Sequence, residues 1–134
     1  MAADTAVFDR GVYVGEAVKV FRTADGRLGG VAGCFGDAAA FRQWFENGAQ
    51  GDPPEFKDES EGMIAHPGGR IEWIGQAAKR FDITAPFAAI GSGFQVAMGA
   101  LHAGASAEKA VTIAATLDSY SRLPIVTIEH GKRK

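Results

Sequence analysis

Hydrophobic and polar positions along this chain follow two periods. Val12 and Val14 alternate with Tyr13 and Gly15 after Arg10-Gly11, and the run from Ala17 to Arg22 follows. A period of two predicts strands. Ala24-Asp25-Gly26-Arg27 separates this run from Leu28 to Cys34, and Asp-Gly between two β-rich runs predicts a hairpin with both turn residues at positive φ. The period then changes. With Asp37 as N-cap, Ala38, Phe41, Trp44 and Phe45 share one helical face, and Asn47-Gly48 stops the helix. Residues 48–62 hold Gly51, Pro53, Pro54 and a run of charge. They predict an exposed loop, because too little chain lies on either side for two cores. Met63 to His66 and Arg70 to Ile74 flank Pro67-Gly68-Gly69 as a second hairpin.

The last third begins with a predicted strand, Pro86 to Ile90, running into Gly91-Ser92-Gly93. A helix from Phe94 to about His102 ends at Gly104. Another is capped by Ser106, with Glu108 in its first turn and Ala110, Ile113, Ala114 and Leu117 on one face. A final strand covers Ile125 to Ile128. Strand runs joined as hairpins make antiparallel sheets, and each amphipathic helix needs a sheet face. The expected architecture is α+β, with two sheets stacked between two helical layers.

Composition narrows the function classes. A length of 134 residues predicts a single domain, 1–134. Hydrophobic residues at 46% exclude a disordered tail. The net charge is -2, and the scattered Lys and Arg give no footprint of a nucleic-acid binder. The basic end Lys132-Arg133-Lys134 reads as a solvated tail. A single cysteine, Cys34, excludes an intrachain disulfide and fits a reducing cytoplasm. No apolar run approaches the roughly 18 residues that span a bilayer. Met1 to Thr5 lacks the basic region and apolar core of a signal peptide. The expected protein is cytoplasmic, without membrane or nucleic-acid partners.

Four polar residues break local rules, which is where function is expected. Asp4 lies in a strand-like run, which is depleted in Asp. Lys19 interrupts Val18 and Val20. Asp118 sits in the last turn of a helix, where the dipole disfavours a carboxylate. Ser92 stands between two glycines at a strand-to-helix turn. Each also has a plain reading: Lys19 as a strand lysine whose head reaches water, Ser92 as an N-cap, Asp118 as an i,i+4 partner of Arg122, Asp4 as the start of a turn. Cys34 reads as a small buried hydrophobe rather than a nucleophile. His66, His102 and His130 lack metal-ligand spacing. Gly91-Ser92-Gly93 is a weak phosphate-cradle signal, since the third glycine of the dinucleotide fingerprint would fall on Val96. No cofactor or metal is expected.

Taken in order, these residues resemble proteasome β-subunits and the bacterial proteasome-like peptidase of the HslV type, N-terminal-nucleophile hydrolases with a four-layer αββα fold. Asp4 in Ala3-Asp4-Thr5 resembles the family's strand aspartate, and Lys19 in Val18-Lys19-Val20 its essential lysine. Ala32-Gly33-Cys34 resembles the turn that supplies the oxyanion amide, Gly91-Ser92-Gly93 the Gly-Ser-Gly turn, and Asp118-Ser119-Tyr120-Ser121 the late Asp-x-Tyr-Ser motif. The resemblance covers nearly the whole chain. It implies a threonine peptidase whose α-amine, with a reference pKa of about 7.7–8, acts as base. Lys19 would stabilise that amine and the developing alkoxide, oriented by Asp4. The Gly33 amide would bind the oxyanion. Ser92, Asp118 and Ser121 would form the polar shell around the amine, and Val31 would shape the S1 pocket.

Two departures qualify this. The family's nucleophile is a threonine at the mature amino terminus, on a strand beside the one carrying the aspartate. Here Met1 stands just before Asp4, so this first strand is expected to be absent, and Thr5 follows the aspartate. The family usually has glycines after the late motif; this chain has Arg122-Leu123-Pro124. The expectation is therefore a proteasome-like fold missing its first strand, inactive as this chain, with peptide or unfolded protein as the ancestral substrate. Three explanations compete: a truncated or mis-started version of a longer protein whose beginning is missing, a non-catalytic self-assembling scaffold of the same fold, or a site that binds something else. The first is favoured, because Lys19, Asp4, Asp118 and Ser121 have little reason to stand together in a dead homologue. A homo-oligomer, ring-forming, with an unfoldase partner, is what the resemblance implies for assembly.

Overall fold

The computed structural model describes residues 1–130; the basic end Lys132-Arg133-Lys134 lies outside the described residues. The chain enters as β1 (Ala2–Asp4) and a small hairpin, β2 (Ala6–Asp9) with β3 (Val12–Glu16). Then come β4 (Val20–Arg22), β5 (Leu28–Ala32), α1 (Phe35–Glu46), β6 (Glu61–Ala65), β7 (Ile71–Ile74) and β8 (Arg80–Ile83). These strands form one antiparallel sheet in sequence order, β4-β5-β6-β7-β8. Helices α2 (Phe94–His102) and α3 (Ala107–Leu117) follow, and β9 (Ile125–Thr127) returns to pair antiparallel with β1, Asp4 opposite Ile125.

Strand alternation divides the five-stranded sheet into two faces. Val31, Ile64 and Ile74 point at α1 and join Phe21, Phe41, Phe45 and Phe56 in one core. Phe41 and Phe45 are fully buried and stack with their rings 5.8 Å apart. The sheet meets them with glycines. A methyl at Gly29 would stand 2.7 Å from the Phe45 ring, and one at Gly62 would stand 2.5 Å from the Phe41 ring. The two rings therefore lie directly on backbone, which draws α1 close to the sheet. On the other side of the chain, Ala97, Ala110 and Ala114 let α2 and α3 pack tightly, and α3 lies against β1 and β9. Ser106 caps α3 as expected, accepting the Lys109 amide at 3.1 Å.

Several expectations change. Helix α1 starts at Phe35 with Cys34 at the N-cap, without a side-chain cap, so Asp37 lies inside the first turn. The reason is Gly33, whose φ of +139° ends β5 and turns the chain early. In the β4–β5 turn only Gly26 has positive φ, +89°. The Thr23 amide bonds the Arg27 carbonyl, and this longer loop leaves Asp25 in an ordinary conformation. Residues 86–90 are irregular rather than a strand. Pro86 offers no N–H, and the strand forms upstream instead, where Phe81 and Ile83 alternate with Arg80 and Asp82. Lys19 lies just before β4 rather than within it. Leu117, read as a buried-face residue, is 69% exposed at the end of α3.

Candidate functional site

The residues singled out in sequence come from four distant segments. Asp4 is held at the end of β1 by strand pairing with Ile125. Its Oδ1 accepts the Lys19 ammonium at 2.8 Å, with both side chains mostly buried. Its Oδ2 accepts the amides of Ala6 at 3.1 Å and Arg122 at 3.0 Å. Thr5 ties the same strand to the same late loop, its hydroxyl donating to the Pro124 carbonyl at 2.9 Å. Arg122-Leu123-Pro124, the sequence departure after the late motif, is thus bonded directly to the strand that carries Asp4.

A second cluster surrounds Asp118. Its Oδ2 accepts the Ser92 hydroxyl at 2.6 Å, the Ser121 hydroxyl at 2.7 Å and the Tyr120 amide at 3.2 Å. Burial pushes this carboxyl up, but these three donors outweigh burial and hold it below the ordinary carboxylate range. Asp118 therefore serves two serines rather than Arg122, and Gly93, not Ser92, is the N-cap of α2. Gly93 is needed here, since a methyl on it would stand 3.2 Å from both the Ser121 hydroxyl and Ala114.

The two clusters face one cavity of about 820 Å³, whose wall includes Asp4, Lys19, Val31, Gly33, Ser92 and Ser121. Asp118 stands behind this wall and acts through its two serines. A methyl at Gly91 would stand 3.2 Å from the Ala32 side chain, so the turns carrying Ser92 and Gly33 abut. Among the described residues no hydrogen bond takes up the Gly33 amide. An ammonium, an amide without a hydrogen bond, and two serine hydroxyls held by a partly exposed carboxylate beside one largely apolar wall can hold and polarise an oxyanion.

Two residues outside the sequence-read site stand behind the Gly33 turn. Ser60, 1% exposed, accepts the Cys34 amide at 3.2 Å and donates to Asp37 Oδ2 at 2.7 Å. Asp37 also accepts the amides of Lys57 at 2.9 Å and Asp58 at 3.0 Å. No spacing rule reaches Ser60, which lies in the loop before β6; the sequence signal near it is Asp37, whose position suggests an N-cap. Burial raises the Asp37 carboxyl, but the two amides and the Ser60 hydroxyl prevail and hold it at about 2, against an ordinary value of 3.8. A depressed folded-state value means stability that is present above the ordinary value and lost as pH falls toward 2. Urea unfolding from pH 5 to pH 2 should show Asp37→Asn losing on the order of 2 kcal/mol less than the parent over this range.

Cys34 offers its backbone to this arrangement. Burial is the main reason its thiol lies above the ordinary range, so it is poorly suited to attack at neutral pH. Cys34, Asp37 and Asp58 bring their ligand atoms within 4.8 Å of one another, but Asp37 is already committed to the three donors just described. The histidines are dispersed: His66 on Glu72, His102 against the Phe87 ring, His130 on the Gly26 carbonyl.

No protein-family model matches this chain, and no curated protein matches it. Solved structures do. BPH, the bacterial proteasome homologue of Thiobacillus denitrificans, aligns with a TM-score of 0.70 at 22% identity, over 93% of this chain and 88% of that one. The same protein in complex with epoxomicin aligns with a TM-score of 0.69 at 23% identity and the same coverage. The chain has a proteasome-like fold.

Proposed function

We propose that this proteasome-like fold carries an N-terminal-threonine peptidase site of the HslV type, set in a four-layer αββα sandwich. The observation that carries the reading is the 2.8 Å Lys19–Asp4 pair on the same cavity wall as the Gly33 amide and the Ser92–Asp118–Ser121 cluster. Each part has a task. A threonine Oγ attacks the peptide carbonyl carbon while its proton passes to the α-amine, directly or through water. The Lys19 ammonium stabilises the developing alkoxide, and Asp4 keeps it in place. The Gly33 amide donates to the oxyanion. Ser92, Asp118 and Ser121 position the amine, which returns the proton to the leaving nitrogen as the C–N bond breaks and then takes one from the water that hydrolyses the acyl ester and frees the threonine hydroxyl. Val31 shapes the pocket for the residue before the cut bond.

The threonine in this reading lies on a strand along the free edge of β1. Among the described residues β1 pairs only with β9, and the cavity is open beside it. The test is a fluorogenic peptide panel on this chain and on a version extended by a threonine-initiated segment. The extended protein should hydrolyse small peptide amides slowly, the present chain should not, and Cys34→Ala should change the rate less than threefold. Activity in the present chain that survives Lys19→Ala but dies with Cys34→Ala overturns the threonine reading in favour of a cysteine one. Silence in the extended protein favours the scaffold reading.

One observation favours self-assembly under either reading. Val12, Val14, Val18, Leu117, Tyr120 and Leu123 are all at least half exposed. Such outward apolar side chains, with an unpaired strand edge, recruit other chains. The chain is read as a cytoplasmic, ring-forming homo-oligomer acting on peptide or unfolded protein, with an unfoldase as partner. Light scattering at micromolar concentration should show an oligomer; a monodisperse monomer counts against the assembly.

A further inference from the structure

We propose that Ser60 and Asp37 are positioning residues for the oxyanion turn, acting through the Cys34 amide; this rests on the peptidase reading above. Gly33 and Cys34 present two consecutive amides at the mouth of α1. Left free, both would turn with the chain, and an oxyanion donor that is not fixed in advance loses most of its value. The structure removes that freedom from one side. The Cys34 amide is consumed by the Ser60 hydroxyl, while the Gly33 amide, on a residue that lines the cavity, takes no hydrogen bond among the described residues. Ser60 is in turn oriented because its own proton goes to Asp37. Asp37 is fixed by the Lys57 and Asp58 amides, so the last residues of the loop before β6 brace the turn.

The fit is close enough to fix a conformation. A methyl on Gly33 would stand 2.1 Å from the Ser60 hydroxyl and 2.7 Å from its Cα, so Ser60 lies flat against the glycine. Neither Ser60 nor Asp37 lines the cavity, while Gly33 does. The pair therefore touches no substrate and acts only by setting the direction of a neighbouring amide. Such a brace differs from general core support, because its loss frees one turn and leaves the sheet intact.

Amide hydrogen exchange by NMR on this chain separates these roles. In Ser60→Ala the Cys34 amide should exchange at least tenfold faster, while Ile64 in the middle of β6 stays within twofold of the parent. Ser60→Thr, which keeps a hydroxyl, should return Cys34 to within threefold. Asp37→Asn should show an intermediate Cys34 rate. An unchanged Cys34 rate in Ser60→Ala overturns the proposal, and so does a rise at Ile64 in step with Cys34. In the threonine-extended protein, Ser60→Ala should lower kcat at least tenfold with KM within twofold; equal kcat overturns the proposal. If the extended parent cleaves nothing, the peptidase reading fails instead, and the exchange rates alone decide whether the pair sets the turn.

Discussion

In the threonine-extended protein, Lys19→Ala should lower kcat by about three orders of magnitude or more and leave KM within a few-fold. The size follows from what the ammonium faces. Lys19 is mostly buried, and its Nζ lies 2.8 Å from Asp4. In the proposed reaction it is the positive charge set against the developing alkoxide. Removing a single preorganised oxyanion donor from a hydrolase typically costs roughly 100- to 1,000-fold. Here the loss is larger, because Lys19→Ala also leaves the Asp4 carboxylate without its cation. That carboxylate keeps only the Ala6 and Arg122 amides, and a partly buried, uncompensated charge repels the alkoxide. Single-turnover kinetics with a fluorogenic peptide separate the chemical step from binding. A fall of less than tenfold, in a protein whose circular dichroism matches the parent, removes Lys19 from the chemistry.

Among the described glycines, Gly33→Ala should be the most damaging added methyl. At φ +139° an L side chain is strained by roughly 1–3 kcal/mol before any contact is considered. The added carbon would then meet Ser60 at 2.1 Å to the hydroxyl and 2.7 Å to Cα. Backbone cannot rotate away as a flexible side chain does, and overpacking of this kind typically costs a further 1–3 kcal/mol. A loss of about 3–4 kcal/mol in urea unfolding is expected. In the extended protein, kcat should fall at least 100-fold as the turn is displaced. Gly36→Ala is the matched control, only three residues away. It lies inside α1 at ordinary φ with nothing within 4 Å of the new methyl. It should raise stability by about 0.5–1 kcal/mol through helix propensity. Equal effects at the two glycines would show that the Gly33 turn is not under conformational constraint.

The sequence exposed the parts of this molecule whose causes are local. The face Phe41 and Phe45, the Ser106 cap, and the glycine after α2 depend on residues a few positions apart, and the expected helices form there. The misreadings came where distant chain decides. Asp37 has the chemistry of a cap, but Lys57, Asp58 and Ser60 claim its carboxylate from the loop before β6. Residues 86–90 have strand composition, yet the chain there is bent to deliver Gly91-Ser92-Gly93 beside Ala32. Asp4, Lys19, Gly33, Ser92, Asp118 and Ser121 each break a local rule or fit a motif; the structure sets five of them on one cavity wall and bonds Asp118 to two of those five. Ser60 broke no rule. A buried serine behind a glycine is visible only once the turn and the loop stand together.

The order in which contacts can close has a consequence for timing. Strands β4 to β8 and helix α1 join segments that follow one another along the chain, through hairpins and one long loop. The Lys19–Asp4 neighbourhood is completed differently: the Arg122 amide reaches Asp4 across 118 residues, and Pro124 receives Thr5 across 119. Contacts over such separations form late, because loop-closure entropy must be met before they yield anything. A chain emerging from the ribosome can therefore complete its α1 layer while the carboxylate that orients Lys19 still lacks its late partners. The surroundings of Asp4 are thus among the last parts of the described fold to close: a molecule made as far as β8 has its sheet but not the amide and the carbonyl that hold Asp4 and Thr5.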